Sequence, residues 1–227
     1  MFPENYTVLV VGDPSAGMFE FCCYLGATYL KAGERLAFLE ANTSPDRVRK
    51  QMQEFGVDVD LYLRDGRLTI IDAYTSANAA YSEPGIVRVE GLDDLSDIFE
   101  ALTKSIEKLG EPPIKVLVDS LTPFFMHHDA NAVARFYKDV CTMAKFSGTM
   151  TSVVHQGILD EDQIALLASI SDSLLEMRVD DNFRRFVRIK HLRGELVKPK
   201  WVPFDFERDA AEGEGTSLVW SRSDEHR

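Results

Sequence analysis

The sequence is short of cysteine, of lysine and of long apolar runs. Its three cysteines, Cys22, Cys23 and Cys141, have neither the spacing of a metal site nor the pattern of a disulfide framework. Cys22 and Cys23 are adjacent within an apolar stretch of helical period and read as small buried hydrophobes. No apolar run approaches the about 18 residues that a membrane helix needs, and nothing like a leader precedes the first strand at residues 6–11. The chain is therefore expected to be soluble and cytoplasmic, without membrane insertion. Lysines number 10 against 15 arginines, and 37 acids outweigh the 25 Lys and Arg residues, for a formal net charge of −12. That balance argues against nucleic acid as a partner, because a phosphate backbone rewards a basic patch.

What is present is the material for one large α/β domain. A length of 227 residues and a hydrophobic content of 45% suffice for a sizeable buried core. Residues 6–11 form a short apolar run of the kind that makes a fully buried parallel strand. Helical spacing follows from Gly17 to Lys31, and Gly33 closes it. Residues 35–39 read as a second strand, and Ser44-Pro45-Asp46 opens a helix to about Gln53 with Ser44 as N-cap. Residues 61–72 read as strand, Asp65-Gly66 turn and strand. A loop with Ser82, Pro84 and Gly85 comes next, and Asp93-Asp94 start a helix to Leu109. Further segments are a strand at 114–120, a helix at 131–146, a strand at 149–155 and a helix at 160–170. Three β segments follow at 173–178, 183–191 and 200–206, with a turn at Asp180-Asp181-Asn182. The alternation predicts a mainly parallel sheet flanked by helices, with antiparallel strands added at the C-terminal edge. Residues 1–206 are expected to form a single domain and 207–227 an acidic, flexible tail.

The first strand runs into Gly12, Asp13, Pro14, Ser15, Ala16, Gly17, Met18 and Phe19. This fits the phosphate-binding pattern G-x-x-x-x-G-K-[ST] in both glycines and in neither of its last two positions. Met18 stands in place of the lysine that gives positive charge to the β/γ-phosphates. Phe19 stands in place of the hydroxyl that ligates Mg²⁺, and neither side chain can substitute. The glycine backbone alone remains able to form an anion nest at a helix N-terminus, although Asp13 adds negative charge to it. His127-His128-Asp129 lacks an i, i+4 partner and reads as loop rather than as a metal site.

Four features occur in a telling order: the strand–glycine loop–helix, the strand leading to Ser44-Pro45-Asp46, the strand ending Asp119-Ser120-Leu121-Thr122, and the late β segment ending Leu192-Arg193-Gly194. Together they resemble the RecA-like ATPases of the KaiC/RadA group, widespread in archaea, over roughly residues 5 to 206. The resemblance implies a RecA-like P-loop NTPase fold. Acid excess with scarce lysine fits a salt-loving archaeon and an ordinary acidic protein equally. The paired glutamates that activate water in that group fall on Asn42 and Thr43, with Glu40 two residues earlier at the strand end. The Mg²⁺-associated aspartate is retained as Asp119, followed by Ser120, and His155 and Gln156 fall where polar residues sense the phosphate. The basic pair that reaches a neighbouring subunit falls on His191 and Arg193.

The resemblance with its catalytic residues replaced implies a pseudo-ATPase acting as a regulatory or scaffolding protein through protein–protein contacts. Its expected partners are an active KaiC-like paralogue or further copies of itself. No cofactor is expected, while weak ATP and Mg²⁺ binding around Asp119, Ser120 and Gln156 stays open. One rival is an active or nucleotide-binding ATPase that draws its cation from Lys115, Lys190 or a neighbour's Arg193. The other is a RadA-like DNA-binding protein, against which the net charge speaks.

Overall fold

In the computed structural model the described residues are 4–75, 83–208 and 216–220. Every position of β1 (Thr7–Gly12) is buried, as its unbroken apolar run predicts. After one 3-10 turn (Pro14–Ala16) come α1 (Met18–Lys31), β2 (Arg35–Glu40), α2 (Pro45–Glu54), α3 (Val59–Arg64) and β3 (Leu68–Asp72). The middle of the chain supplies β4 (Ile86–Arg88), α4 (Leu95–Leu109), β5 (Ile114–Asp119) and the single turn α5 (Phe124–His127). Then follow α6 (Ala130–Ser147), β6 (Gly148–His155) and α7 (Glu161–Ile170). β7 (Ser173–Val179), β8 (Arg185–Leu192), β9 (Val202–Arg208) and β10 (Thr216–Trp220) complete the order.

These strands form one ten-stranded sheet in the order β10-β9-β8-β7-β1-β6-β5-β2-β3-β4. All pairs from β7 through β4 are parallel, and β8, β9 and β10 add to the edge antiparallel. The predicted α/β architecture is thus the observed one. Because strand side chains alternate, each strand feeds two cores. Val8, Val10, Leu36 and Phe38 pack with α1, α2 and α3 on one face. Leu9, Val11, Ala37 and Leu39 pack with α4, α6 and α7 on the other.

Local signals set most boundaries. Gly33 takes the left-handed conformation (φ 83°) just past α1, which a residue with a Cβ resists. Asp94, Asp129 and Asp160 cap α4, α6 and α7 through their carboxylates. Ser44 occupies the N-cap of α2 without a side-chain capping bond, so Pro45 at the first helical position carries that start.

Two expectations need correcting. Residues 59–64 are helix, not strand, because Asp58 accepts a capping bond from the Leu61 amide and Val59 and Leu63 bury on one side. Asp65-Gly66 therefore ends a helix instead of turning a hairpin. The chain after Phe206 is also not all tail: β9 runs to Arg208, and β10 pairs along it antiparallel with Leu218 packed against the core. The acidic and glycine-rich composition between them hides this short strand from a composition-based reading. Ser82 of the predicted loop, and 209–215 and 221–227 of the predicted tail, lie outside the described residues.

Tyr137 ties α6 to the sheet. Its buried hydroxyl lies 2.9 Å from Ser152 Oγ and 2.8 Å from Ser171 Oγ. Tyr137→Phe deprives both serines of a partner and is expected to cost about 1–2 kcal/mol, read as a lower urea midpoint at unchanged m-value.

Candidate functional site

The glycine loop lies at the carboxyl end of β1, where an open parallel sheet has its crevice. Asp13, Pro14 and Ser15 are exposed, while Ala16, Gly17 and Met18 are buried. Asp13 turns back on the loop: its carboxylate accepts the Ser15 amide at 2.8 Å and the Ser15 hydroxyl at 2.5 Å. These bonds hold its pKa below the ordinary aspartate value. The loop thus satisfies one of its own donors with its own anion. Gly17 is left-handed (φ 81°) and starts α1.

Met18 folds inward and is 1% exposed. A methyl group built on Gly12 would meet its sulfur at 3.0 Å, so the side chain lies back over the end of β1. Phe19 is half-buried against the same core, with the Arg47 guanidinium 5.5 Å from its ring centre.

Three groups that sequence reasoning missed cover Gly17. A methyl there would come within 3.2 Å of Arg185 Nε, 3.2 Å of Phe206 Cε2 and 3.5 Å of Glu20 Oε2. Asp205 fixes Arg185 at 2.7 Å, and Phe206 packs among Tyr24, Phe55 and Phe204. The signal existed in the hairpin arithmetic. Met177 pairs with Gly12, and the Asp180–Asn182 turn brings Arg185 back opposite Val179, two residues beyond.

Beside the loop, three buried carboxyl groups end three adjacent strands. Glu40 of β2 is in register with Asp72 of β3 and with Asp119 of β5. Each is at most 1% exposed. Glu40 Oε1 accepts the amides of Asn42 (2.8 Å) and Thr43 (2.9 Å), and Asp72 Oδ1 accepts those of Tyr74 (3.1 Å) and Thr75 (2.9 Å). Asp72 also meets Arg88 at 3.4 Å. Asn42 Nδ2 donates to Asp119 Oδ1 at 3.1 Å, while among the described residues Glu40 Oε2 and Asp119 Oδ2 find no hydrogen-bond partner. Burial pushes Asp119 up to about 7, with the Asn42 bond opposing and Glu20 adding to the rise. Glu40 is pushed well above the usual range, by burial first and Asp119 second. The Cys22 and Cys23 thiols, raised by burial and then by Asp119, stay protonated in the core.

Ser120, Gln156 and His155 gather at this end of the sheet. Ser120 Oγ accepts the Thr122 amide at 3.2 Å, and Thr122 Oγ1 accepts the His155 amide at 2.8 Å. The Gln156 amide donates to Gly12 O at 2.7 Å. Burial lowers the His155 pKa.

The structure separates His191 and Arg193 from this group. Antiparallel β8 carries them toward the start of β1, His191 level with Leu9 and Arg193 with Thr7, about 10 and 16 Å from Gly12 along the strand. There Arg193 joins Lys145 on Asp172, at 2.9 and 2.7 Å, and Asp172 also accepts from Thr7. Two further candidates for the missing cation are engaged elsewhere. Lys115 pairs with Glu34 at 3.0 Å near the start of β5, and Lys190 pairs with Glu176 at 2.6 Å on β8. His127, His128 and Asp129 go separate ways: to Asp93 at 2.8 Å, to Leu92 O at 2.6 Å, and to the α6 N-cap.

A strand–glycine loop–helix on the central strand, with an aspartate ending the strand two places away, defines a RecA-like member of the P-loop class. The family model for the KaiC ATPases matches residues 1–212, and the chain belongs to that family. Relatives include a UPF0273 protein of Thermotoga maritima, 28% identical over 130 residues, which are 57% of this chain and 53% of that protein. One from Pyrococcus horikoshii is 30% identical over 130 residues, 57% of this chain and 52% of its own length. The chain thus spans about half the length of these curated relatives. A UPF0273 protein of Methanocaldococcus jannaschii aligns over 215 residues at 27% identity, 91% of this chain and 87% of that protein. Among solved structures, a KaiC-like protein from Pyrococcus horikoshii superposes with a TM-score of 0.74. At 17% identity it covers 97% of this chain and 92% of its own, and it supports the fold.

Proposed function

We propose that this KaiC-family chain does not hydrolyse ATP and acts as a regulatory or scaffolding protein through contacts with other proteins. One observation carries this reading. The residue in the lysine position, Met18, is buried over Gly12 instead of facing the loop. Phosphoryl transfer in such a loop rests on placed charge and amide donors, and loss of one donor costs about 10²–10³ in rate. Here the lysine and the Mg²⁺-ligating hydroxyl are both replaced, and Asp13 already occupies the Ser15 amide. Partners on this reading are an active KaiC-like relative or further copies of the chain. Purified protein is expected to turn over ATP no faster than buffer, with Asp119→Ala changing nothing. Turnover typical of an ATPase, abolished by Asp119→Ala, would overturn the proposal.

Arg185 favours a second reading, in which the loop binds nucleotide without hydrolysing it. Its guanidinium brings positive charge to Gly17 from β8, a route different from the loop lysine. Calorimetric titration with ATP, with and without Mg²⁺, separates the two. Micromolar affinity lost in Arg185→Ala supports the second reading, and no heat of binding supports the first.

A further inference from the structure

The acidic chain carries a concentrated block of opposite charge that the phosphate site does not use. Residues 178–200 hold eight Lys and Arg against three Asp and Glu, so the remainder of this −12 chain carries −17. Much of that block lies on one open face of β7 and β8. Met177 and Val187 turn into the core beneath α1, and alternation sends Glu176, Arg178, Phe186 and Arg188 to the opposite face, where they pair across the two strands. Trp201, entering β9, joins them: the Arg178 guanidinium lies 4.3 Å from its ring centre and that of Arg188 4.4 Å. Arg178 also lies 5.5 Å from the Phe186 ring.

A guanidinium stacked on an aromatic ring is held flat while its in-plane N–H groups stay free for acceptors. Arg188 spends its fork on Glu176, which Lys190 shares. Arg178 is exposed, and among the described residues no carboxylate pairs with it. The face therefore presents a pre-positioned, unspent guanidinium inside a cationic surround. Its complement is a carboxylate, which a guanidinium grips through two parallel hydrogen bonds.

We propose that the β7–β8 face, centred on Arg178 and Trp201, docks an extended acidic segment of another protein. This rests on the reading that the chain works through protein contacts, and it names where one such contact is made. Single-stranded nucleic acid suits the face less well. Two guanidiniums already lie against the Trp201 ring, which leaves less of it as a base-stacking platform. The −17 elsewhere on the chain repels a long polyanion, whose charge runs past the basic block, more than it repels a short acidic segment.

The test uses full-length protein carrying Trp220→Phe, so that Trp201 is the sole tryptophan, titrated with an octaglutamate peptide and followed by indole emission and peptide anisotropy. Saturable, salt-sensitive binding that shifts the Trp201 emission is expected, with octaglutamine showing none. Arg178→Ala should weaken binding about tenfold, as befits loss of a charged hydrogen-bonding pair. Arg178→Lys should recover little, because it keeps the charge and loses the fork. Lys138→Ala, at an exposed position of α6, should leave affinity unchanged. Octaglutamate binding no tighter than octaglutamine overturns the proposal, as does an equal loss in Lys138→Ala. Tighter binding of an oligothymidine reassigns the face to nucleic acid. An oligomer that sediments at low salt and dissolves in Arg178→Ala reassigns it to a second copy. None of these outcomes bears on ATP turnover, so the surface and the inactive site stand or fall separately.

Discussion

Met18→Lys, which returns lysine to the glycine loop, is expected to destabilise the chain without switching on ATP turnover. The Met18 side chain is 1% exposed and closes over Gly12, where a lysine ammonium would be stripped of water. Burial of that kind lowers a lysine pKa by several units, each worth about 1.4 kcal/mol, so a penalty on the order of 3 kcal/mol is expected at pH 7. Met18→Leu keeps volume and polarity and should cost under about 1.5 kcal/mol. Chemical denaturation of the three proteins in parallel gives the comparison. Adding Phe19→Thr to Met18→Lys restores the whole motif on paper. Yet Asp13 still holds the Ser15 amide, and Arg185 with Phe206 still covers Gly17. A Met18→Lys protein as stable as wild type would show that the position opens toward the loop.

The second large effect is a pH dependence centred on the Glu40–Asp119 pair. Asp119 titrates near 7 in the folded chain against an ordinary aspartate value of 3.8. The native state therefore binds its proton more tightly than the unfolded state does. The resulting stabilisation is complete below about pH 4 and is lost as pH rises through about 7. Glu40, raised by burial and by Asp119, acts in the same direction. Asp119→Asn removes the titration, and the residue can still accept from Asn42. At pH 8 the variant should be more stable than wild type by on the order of 2–4 kcal/mol, and near pH 4 the two should converge. Asp172 and Glu176 run the other way. Burial there is outweighed by Lys145 and Thr7, and by Lys190 and Arg188, so both carboxyls are held low. Their contribution is lost only as pH falls through their depressed values, which leaves the neutral window to the Asp119 pair. Parallel denaturant midpoints from pH 4 to 8 that fail to converge at the acid end would exclude this assignment.

Much of the frame was legible in the sequence because its signals are local. Apolar runs ending in Gly12, Glu40, Asp119 and His155 announced parallel strands. The acids Asp93-Asp94, Ser44-Pro45 and the stop at Gly33 announced helix boundaries. Residues 59–64 misled because Leu61-Tyr62-Leu63 suits either structure, and the deciding bond from Asp58 is a capping contact that apolar pattern does not register. The site was legible only along β1 and β5. Glu40 was visible as an acid at a strand end, but its place beside Asp119 depends on which strands become neighbours. Arg185 and Phe206 reach Gly17 across more than 160 residues of chain, through a hairpin whose position depends on β7 joining β1.

The central place of β1 has a consequence for how this chain comes into being. β1 is made before the other described strands, yet its two neighbours in the sheet are β6 and β7, which begin at residues 148 and 173. Both edges of an entirely buried strand must wait for more than 140 residues of synthesis before they are paired. Contacts of such long range slow folding, and an unpaired apolar edge is a template for association with other chains. A nascent chain halted before β6 would carry the complete glycine loop on a strand with nothing on either side. The late strands thus do more than finish the sheet, since until they arrive the first one is a hazard.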